Sequence, residues 1–545
     1  MNISPVNLTR KPPLFYDYLN HFEKVESFYR WNPHKMDALP AVITERGRLT
    51  YPRRQLAKIL LRQNRFWGAP PESLQNVEQL ADDRTFCVVT GQQAGVLGGP
   101  LYTIYKIITV VKLTTTLQEK YPEYNFIPLF WLEINDNDFK EINHIQYITR
   151  ENQIRRLEIA ENSADSLKPI AYRKPDPQIL QWRKTIDEDF FDTEFKEDAL
   201  RLFLEPYENS ATYGDAFARL ILTLLGRHGL VVINPVDRDV AALVQPIFDT
   251  ALTSAREILE AFEERNHQIK GAGYPTQIQL RNHQTLLFHI DEQQQRVRID
   301  AEPGGGYRLV YPDEKRGIGS TELLHLCETH PEQFSPNVAL RPIVQDSLLP
   351  TVAYVAGPSE TAYFAQLETL YRFFEVPMPL IYPRHRMTIV ENKIRRLLEK
   401  LQLDYETILN SRGNFVETYL RQHAGQELYR MLEQVDQQIG EALENLEPLL
   451  TRYDPTLVQS LHKTRLSIEG SFRKLSGKIT RSLGNRNETL VNQLERLMLL
   501  LLPQHTYQER MLNLIYFCIK YGCGFFEELL ANLPEDTRRH YVVEL

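Results

Sequence analysis

Short runs of apolar residues recur along the chain before residue 386, with polar and helix-favouring segments between them. The runs cover 86–89, 126–132, 230–233, 352–355 and 380–382. Continuous apolar runs of this length are typical of parallel strands, because helices bury such strands on both faces. The pattern therefore predicts an α/β domain built on a parallel sheet.

A glycine-rich turn joins the first apolar run to a predicted helix. Residues 102–117 have apolar side chains at roughly helical spacing, and Gly91, Gly95, Gly98 and Gly99 precede them. Such a turn lets backbone amides approach a ligand closely, which suits a phosphate or a carboxylate. The segment fits neither the Walker pattern nor the dinucleotide fingerprint, so the turn alone specifies no ligand.

The character of the chain changes after residue 385, where long charged helices replace the strand pattern. A heptad seam runs through Leu428, Leu432, Val435, Ile439, Ala442, Leu446 and Leu449. Asp454-Pro455 interrupts it, and a similar spacing resumes from Ile468, so we predict an antiparallel helical hairpin. It forms either a projecting coiled coil or a compact bundle within one subunit.

The predicted organisation is a core interrupted by two insertions and followed by helices. Charged sequence at 151–212 and alternating sequence at 266–340, with a run at 285–290 and a Gly304-Gly305-Gly306 turn, are interpreted as the insertions. The resulting segments are core parts at 1–150, 213–265 and 341–385, insertions at 151–212 and 266–340, a helical coiled-coil region at 386–505, and C-terminal helices at 506–545 that pack back on the core.

Composition and charge exclude several classes of protein. The chain has 545 residues, of which 42% are apolar and 25% charged, with a net charge of -8. Excess acid argues against a nucleic-acid binder. The pattern at the start is not typical of a signal peptide, and no apolar run approaches the roughly 20 residues that span a bilayer. Four cysteines are too few for a disulfide framework, and the closely spaced Cys or His pairs of a structural zinc site are absent. We therefore expect a cytoplasmic protein without a bound metal.

An unusual polar cluster follows the second predicted strand. It contains Asp136, Asp138, Glu141 and His144 directly after buried apolar sequence. Strand ends are where open α/β sheets bind ligands, and carboxylates there could hold an amine, orient a metal-bound nucleotide or act as a general base. The alternative is a loop that only caps the next element and solvates it.

Two later strand ends carry further candidates. In the first, Ser359 could be a helix N-cap, and Glu360 either a first-turn charge or a ligand. In the second, Arg384 and Arg386 suit bidentate binding of a carboxylate or phosphate, unless they are surface arginines.

Four blocks of sequence resemble one known family. They are VVTGQQAG, GPLYTIYK, FWLEINDNDFKEINH, and TVAYVAGPSETAYFAQL followed by PLIYPRHRMT. In this order they are similar to the bacillithiol biosynthesis cysteine-adding enzyme family, and the resemblance extends through the helical region to YQERMLNLIYFCIKYG. It implies a Rossmann-like core resembling class I synthetases and nucleotidylyltransferases, two connecting-peptide insertions, and a coiled coil that forms a homodimer.

The resemblance also implies a reaction, in which cysteine is joined by an amide bond to the malyl carboxylate of glucosaminyl malate. A carboxylate condenses with an amine only after activation, so ATP, with Mg²⁺, is the expected co-substrate. Catalytic candidates are Asp136, Asp138, Glu141 and His144. Binding candidates are Thr90, Gly91, Gln92, Gln93, Tyr102, Lys106, Trp131, Asn135, Asn143, Gly357, Ser359, Glu360, Tyr363, Arg384 and Arg386. Among these, Lys106 is expected to steady phosphates, and Arg384 or Arg386 to hold an oxyanion.

The chain departs from the family pattern at three positions. Asn135 and Asn137 stand where the family usually has Glu and His, and Ser359 where it commonly has Gly. If either lost group is an essential base, activity is lost or altered, whereas amides can replace groups that only position ligands. The alternative functions are a nucleotidyl transferase acting on another small acid and a non-enzymatic, nucleotide-binding coiled-coil scaffold.

Overall fold

The computed structural model describes residues 1–9, 12–411 and 413–545. The chain forms two compact units: Met1–Thr388 with Gln508–Val543, and Ile389–Tyr507 with Glu544–Leu545. It therefore leaves the first unit once, for the helical region, and returns to it near its end.

The core of the first unit is a five-stranded parallel sheet. Its strands, in chain order, are Thr85–Gln93, Asn125–Glu133, Val231–Ile233, Thr351–Ala356 and Leu380–Pro383. Each predicted apolar run forms one of these strands, so the predicted parallel sheet is confirmed. The spatial order is fifth, fourth, first, second, third, and every neighbouring pair is parallel.

The direction of strand addition reverses beside the first strand. The sheet grows from Thr85–Gln93 through Asn125–Glu133 to one edge, and the chain later places Thr351–Ala356 on the opposite side of the first strand. Loops diverge at such a reversal and leave a crevice outside the carboxyl ends of the strands. The topology therefore provides a binding crevice between the ends of these strands.

The glycine-rich turn packs tightly between the first strand and the helix Leu101–Lys120. A Cβ atom on Gly95 would lie 2.7 Å from the Cα of Gly99, so no larger residue fits there. Gly98 has a φ of +86°, in the region that favours glycine. The helix is buried along most of its length. The predicted strand, turn and helix are thus confirmed.

Three smaller sheets account for the other described strands. The largest has the antiparallel order Lys315–Ile318, Tyr307–Val310, Arg296–Ala301, Gln284–Ile290 and Phe334–Pro336. The alternating run at 285–290 lies in the strand Gln284–Ile290, and the Gly304-Gly305-Gly306 turn directly precedes the strand Tyr307–Val310. Both predictions are confirmed. His144–Ile148 pairs with Ile154–Glu158, and Asn2–Val6, His540–Glu544 and Arg386–Val390 form a three-stranded sheet.

The α-helices of the first unit cover the sheets and carry several site residues. They are Pro13–Asn20, Leu39–Gly47, Arg53–Phe66, Pro71–Gln79, Leu101–Lys120, Gln178–Asp189, Lys196–Glu208, Tyr213–Leu225, Arg238–Thr253, Ala255–Gly271, Ser320–Thr329, Arg341–Leu348, Pro358–Phe373, Gln508–Met511, Ile515–Tyr521 and Phe525–Asn532.

The second unit is mostly helical. Its helices are Asn392–Leu401, Tyr405–Asn410, Phe415–His423, Gln426–Tyr453, Thr456–Arg486 and Glu488–Leu501. The two longest turn at Asp454-Pro455 and run antiparallel, with an ion pair of 3.3 Å between Arg465 and Glu444, so the predicted hairpin is confirmed. Leu428, Leu446 and Leu449 of the heptad seam remain 45%, 43% and 55% exposed. The hairpin therefore does not bury its apolar seam by itself.

The cysteines and the helices add three smaller observations. Cys518 and Cys523 form a disulfide, a local link that the cysteine count alone does not predict, whereas Cys87 and Cys327 are free and buried. Within the described ranges, no group of three or more His, Cys, Asp or Glu could hold a metal ion. None of the described helices combines the length and the apolar character needed to cross a membrane.

Candidate active site

A cleft of about 590 Å³ opens at the carboxyl ends of three neighbouring strands of the parallel sheet. Gly91 and Gln92 line it from the first strand and Glu133 from the end of the second. Gly357 and Glu360 line it from the turn after the fourth strand. The cleft thus lies where strand addition reverses, which is the usual ligand site of an open α/β sheet.

Lys106 reaches the cleft from the helix Leu101–Lys120. Its Nζ lies 2.6 Å from Glu360 Oε2, 2.8 Å from the Gly91 carbonyl oxygen and 2.9 Å from Gln92 Oε1. These contacts use all three N–H donors of the ammonium group. Burial lowers the pKa of Lys106, and the Glu360 carboxylate opposes that shift. A phosphate would have to displace one of the three partners to bind Lys106.

Glu360 is held at the start of the helix Pro358–Phe373. The Gly357 backbone N–H donates to Oε2 at 2.7 Å, and the Tyr354 hydroxyl donates to Oε1 at 2.9 Å. Gly357 is the N-cap, so an N-cap role for Ser359 is wrong, and Glu360 supplies the first-turn charge. Ser359 is exposed at the cleft. Because both of its oxygens are engaged, Glu360 closes the turn and positions Lys106.

Arg341 and Glu133 form a second charged pair, and the sequence analysis named neither. Arg341 is buried, with Nη2 lying 3.1 Å from the Tyr363 hydroxyl and 3.3 Å from the Tyr354 hydroxyl. Its Nε lies 3.3 Å from Glu133 Oε2. Burial raises the pKa of Glu133 to about 7 against the opposing charge of Arg341. This cleft therefore contains a carboxyl group that titrates near neutrality.

Three of the four residues predicted to be catalytic line the cleft: Asp136, Glu141 and His144. Asp136 Oδ1 lies 3.2 Å from Arg296 Nη1. Burial raises the pKa of Glu141 and lowers that of His144, whose Nδ1 lies 3.1 Å from Asn143 Oδ1. This wall of the cleft carries two carboxyl groups and an imidazole whose protonation burial disfavours.

The other residues of the acidic loop do not line the cleft. Asp138 is exposed outside it, and Asn143 is buried and donates to a backbone carbonyl oxygen at 2.7 Å. Asn137 also donates to a carbonyl oxygen, at 2.8 Å. Asn135 is buried and lines a separate small cavity with Trp131. The side chains of the two asparagines that depart from the expected pattern thus do not line the cleft, although their backbone N–H groups donate to Glu133 and Asp136, which do.

Most of the predicted binding residues lie together at the cleft, whereas five do not line it: Thr90, Trp131, Asn135, Asn143 and Arg386. Gln93, Tyr102 and Tyr363 line the cleft with the residues described above. Thr90 does not, because it is buried within the first strand and its hydroxyl donates to the Val355 carbonyl oxygen at 2.8 Å.

The two arginines after the last strand of the sheet are used within the protein. Arg384 lines the cleft, but its Nη1 and Nη2 lie 3.0 and 2.6 Å from the two carboxylate oxygens of Glu509. Both side chains of this pair are buried. Arg386 lies outside the cleft lining and donates to the backbone carbonyl oxygen of Arg538 at 2.7 Å. Both guanidinium groups thus have partners within the protein, and an oxyanion at Arg384 would have to compete with Glu509.

Arg510 is a cationic residue at the cleft that was not among the candidates from the sequence. It lies on the short helix Gln508–Met511, is exposed, and lines the cleft. Among the residues that the structure describes, no carboxylate lies within ion-pair distance of it. Nothing near Arg510 in the sequence indicates this role, because only the return of the chain to the first unit brings it to the cleft.

A Rossmann-like sheet with a charged cleft at its carboxyl edge, followed by a helical hairpin unit, defines a two-domain α/β protein. Two family models match successive parts of the chain: bacillithiol biosynthesis BshC, N-terminal Rossmann-like domain, over residues 1–385, and bacillithiol biosynthesis BshC, C-terminal coiled-coil domain, over 387–545. The chain belongs to the BshC family of bacillithiol biosynthesis.

Two relatives illustrate the extent of the similarity. Proteins named "Putative cysteine ligase BshC" from Chloroherpeton thalassium and Salinibacter ruber are each 32% identical to the chain. The alignments cover 98% and 99% of this chain, and 96% and 97% of the relatives. A solved structure described as an arginyl-tRNA synthetase from Campylobacter jejuni covers 84% of this chain and 98% of its own, at 10% identity and a TM-score of 0.22. That score supports no conclusion about a shared fold.

Proposed function

We propose that this protein is an ATP-dependent ligase that joins cysteine by an amide bond to the malyl carboxylate of glucosaminyl malate. Family membership supports the pathway, and the name of the relatives supports the ligase activity. The observation that carries the proposal is the cleft at the strand reversal, which combines the cation Arg510 with the carboxylates of Asp136 and Glu141.

Both substrates carry charges that these residues can bind. Cysteine has an ammonium and a carboxylate, and glucosaminyl malate has an amine and two carboxylates. Arg510 binds a malyl or phosphate oxyanion, since a guanidinium group matches these anions with two parallel hydrogen bonds. Asp136 and Glu141 attract the cysteine ammonium. Lys106 and Arg384 act indirectly, because their pairs with Glu360 and Glu509 shape the cleft.

ATP is required by the chemistry of amide formation. Its role is to turn a carboxylate oxygen into a leaving group, as an acyl adenylate or an acyl phosphate. Any Mg²⁺ arrives with the nucleotide phosphates, because the described part of the chain contains no cluster of three or more His, Cys, Asp or Glu able to hold it. Arg510 would contact those phosphates, because the N–H groups of Gly95, Gly98 and Gly99 in the glycine-rich turn donate to carbonyl oxygens within the protein.

The test is an assay of pure protein with ATP, cysteine and glucosaminyl malate. We expect a thiol product with the mass of the amide, formed in proportion to the nucleotide consumed. Release of AMP and pyrophosphate identifies an adenylate, and release of ADP and phosphate identifies an acyl phosphate. Nucleotide consumption that requires the malate acid but not cysteine, without a thiol product, would instead support the nucleotidyl transferase.

We infer in addition that the protein forms a homodimer through its helical hairpin. The seam residues Leu428, Leu446 and Leu449 keep roughly half of their surface exposed. A heptad stripe of this kind is stabilised when a second helical surface covers it. The same seam on a second copy is the simplest partner, because a symmetric interface uses one surface twice.

A further inference from the structure

Glu133 differs from the other carboxylates around the cleft. It is the last residue of the strand Asn125–Glu133, and its Oε2 is buried without a hydrogen-bond donor among the residues that the structure describes. Arg341 Nε is 3.3 Å away, within ion-pair distance, but the two atoms do not meet the geometry of a hydrogen bond. A buried acceptor without a donor is costly unless a ligand supplies one.

The neighbouring carboxylates have partners within the protein, including Glu141, which accepts a hydrogen bond from the Gln93 side chain. Glu360 accepts hydrogen bonds on both oxygens, from Tyr354 and from Gly357, and also pairs with Lys106. Asp136 Oδ1 accepts the Asn137 backbone N–H at 2.7 Å and pairs with a buried arginine. Each of these groups therefore has at least one partner that protonation would disturb. Glu133 Oε2 has no hydrogen-bond donor among the described residues, and 23% of the Glu133 side chain is exposed at the cleft.

The groups around Glu133 have opposing effects on its pKa. Burial raises its pKa to about 7, Asp136 adds to the rise, and Arg341, Arg296 and a hydrogen bond from the Asn135 backbone N–H oppose it. The Tyr363 hydroxyl faces the same group across Arg341. A carboxyl group that titrates near neutrality can both accept and release a proton at working pH, which is the property required of a general base.

We propose that Glu133 is the proton acceptor for the cysteine amine in the amide-forming step. This inference rests on the proposed ligase function and assigns its second half-reaction. The Glu133 carboxylate removes one proton from the cysteine ammonium and becomes a carboxylic acid. The free amine then attacks the activated malyl carbonyl, so a C–N bond forms and the C–O bond to the phosphate leaving group breaks. The nitrogen then loses its second proton to solvent. Glu133 releases to solvent the proton that it took from the ammonium.

Glu133→Gln separates this role from acyl activation when two nucleophiles are compared. Cysteine arrives as an ammonium and needs a base, whereas hydroxylamine is an uncharged nucleophile at neutral pH and traps an activated acyl group directly. We expect the variant to form the cysteine amide about 10²-fold more slowly or worse. We expect acyl hydroxamate formation from ATP, glucosaminyl malate and hydroxylamine to stay within about threefold of wild type, because this reaction bypasses the base.

The pH profile gives a second readout. In wild type, amide formation should fall on the acid side with an apparent pKa near the value of about 7, because protonated Glu133 cannot accept a proton. Above that pKa the wild-type rate should level off. Glu133→Asp should keep this levelling at a reduced rate, whereas the rate of Glu133→Gln should keep rising with pH, because it depends on the fraction of free cysteine amine. Any acid limb of hydroxamate formation reflects protonation of hydroxylamine itself and should be the same in wild type and Glu133→Gln. The wild-type comparison tests the proposal even if a variant fails to fold.

A matched control is Glu314→Gln, which changes a carboxylate on an exposed hairpin, paired with Arg316 and away from the cleft. It should leave both reactions unchanged. The proposal is overturned if Glu133→Gln slows hydroxamate and amide formation equally, if it slows neither, or if His144→Gln rather than Glu133→Gln abolishes the levelling of the pH profile of amide formation. A wild-type protein that forms no hydroxamate and no amide refutes the ligase function itself, which is a distinguishable result.

Discussion

Arg384 and Glu509 form a buried ion pair that connects the end of the sheet to the helix Gln508–Met511. Burial acts to raise the pKa of Glu509, but the Arg384 guanidinium outweighs it and holds that pKa below its ordinary value. Two parallel hydrogen bonds recover part of the cost of removing both charges from water. Removal of one partner leaves the other charge buried and unpaired.

Glu509→Gln should therefore lower the free energy of unfolding of the first unit by about 3–5 kcal/mol. Because the pKa of Glu509 is lowered in the folded state, its contribution is present above the ordinary pKa of glutamate and is lost as pH falls through the lowered value. The difference from wild type should thus shrink in acid. Urea unfolding at neutral and acid pH measures both effects. Glu260→Gln, in an exposed helical pair with Arg256, should cost less than about 1 kcal/mol.

For Arg510 we expect an effect on activity rather than on stability, because it is exposed and has no carboxylate partner among the described residues. Arg510→Gln should lower kcat/KM for glucosaminyl malate by about 10–100-fold, the equivalent of one or two charged hydrogen bonds, with little change in stability. Steady-state kinetics with varied acceptor measures this. Arg281→Gln removes an exposed arginine outside the cleft lining and serves as the control. Unchanged kinetics for Arg510→Gln would remove it from the site.

At the scale of elements, the exposed apolar seam of the helical hairpin predicts how two copies of the protein associate. Leu446→Glu combined with Leu449→Glu places two charges in the apolar seam, which would have to be buried in a dimer interface. We expect a wild-type dimer and a monomeric variant in light scattering at micromolar concentration. Gln434→Glu, an exposed position off the seam, should remain dimeric. A wild-type monomer, or a dimer that survives the double substitution, would contradict an interface on this seam.

The glycine-rich turn between the strand Thr85–Gln93 and the helix Leu101–Lys120 has little conformational freedom. The Gly95 and Gly99 backbones approach so closely that a Cβ on Gly95 would overlap Gly99. The turn therefore holds the start of the helix Leu101–Lys120 against the strand and sets the position of Lys106. Backbone packing, rather than a ligand, accounts for at least this glycine.

At the scale of the whole molecule, the proposed function predicts a metabolic phenotype. Deletion of the gene in its host should lower bacillithiol and raise glucosaminyl malate, because the proposed step consumes that intermediate. Mass spectrometry of both metabolites measures the effect, and complementation with the wild-type gene should reverse it. If both levels stay unchanged in a host without a second copy of the gene, the cysteine-adding assignment is wrong.

Restoration of the expected residues tests the two asparagines in the same host. Because Asn135 and Asn137 lie outside the cleft, Asn135→Glu with Asn137→His should leave bacillithiol within a few-fold of the wild-type complement. A strong increase would show that a catalytic group had been lost at these positions. The carboxyl group that lines the cleft just before these positions is that of Glu133, the last residue of the strand Asn125–Glu133.

The sequence by itself determined the five strands, the turn before Leu101–Lys120, the helical hairpin and the family. Each of these depends on local information: apolar runs, glycine spacing, heptads and ordered blocks of residues. It also placed Asp136, Glu141 and His144 at a strand end, because parallel strands present their carboxyl ends at one edge of the sheet.

Only the tertiary structure decided which charges face the cleft and which are neutralised. Arg384 was a reasonable ligand in the sequence, but Glu509, from a distant helix, engages it. Arg341, Arg510 and the titration of Glu133 were equally invisible, because their roles depend on neighbours from separate elements. The physical reason is that the energy of a charge depends on distance and burial in space, whereas the patterns that specify strands and helices repeat along the chain.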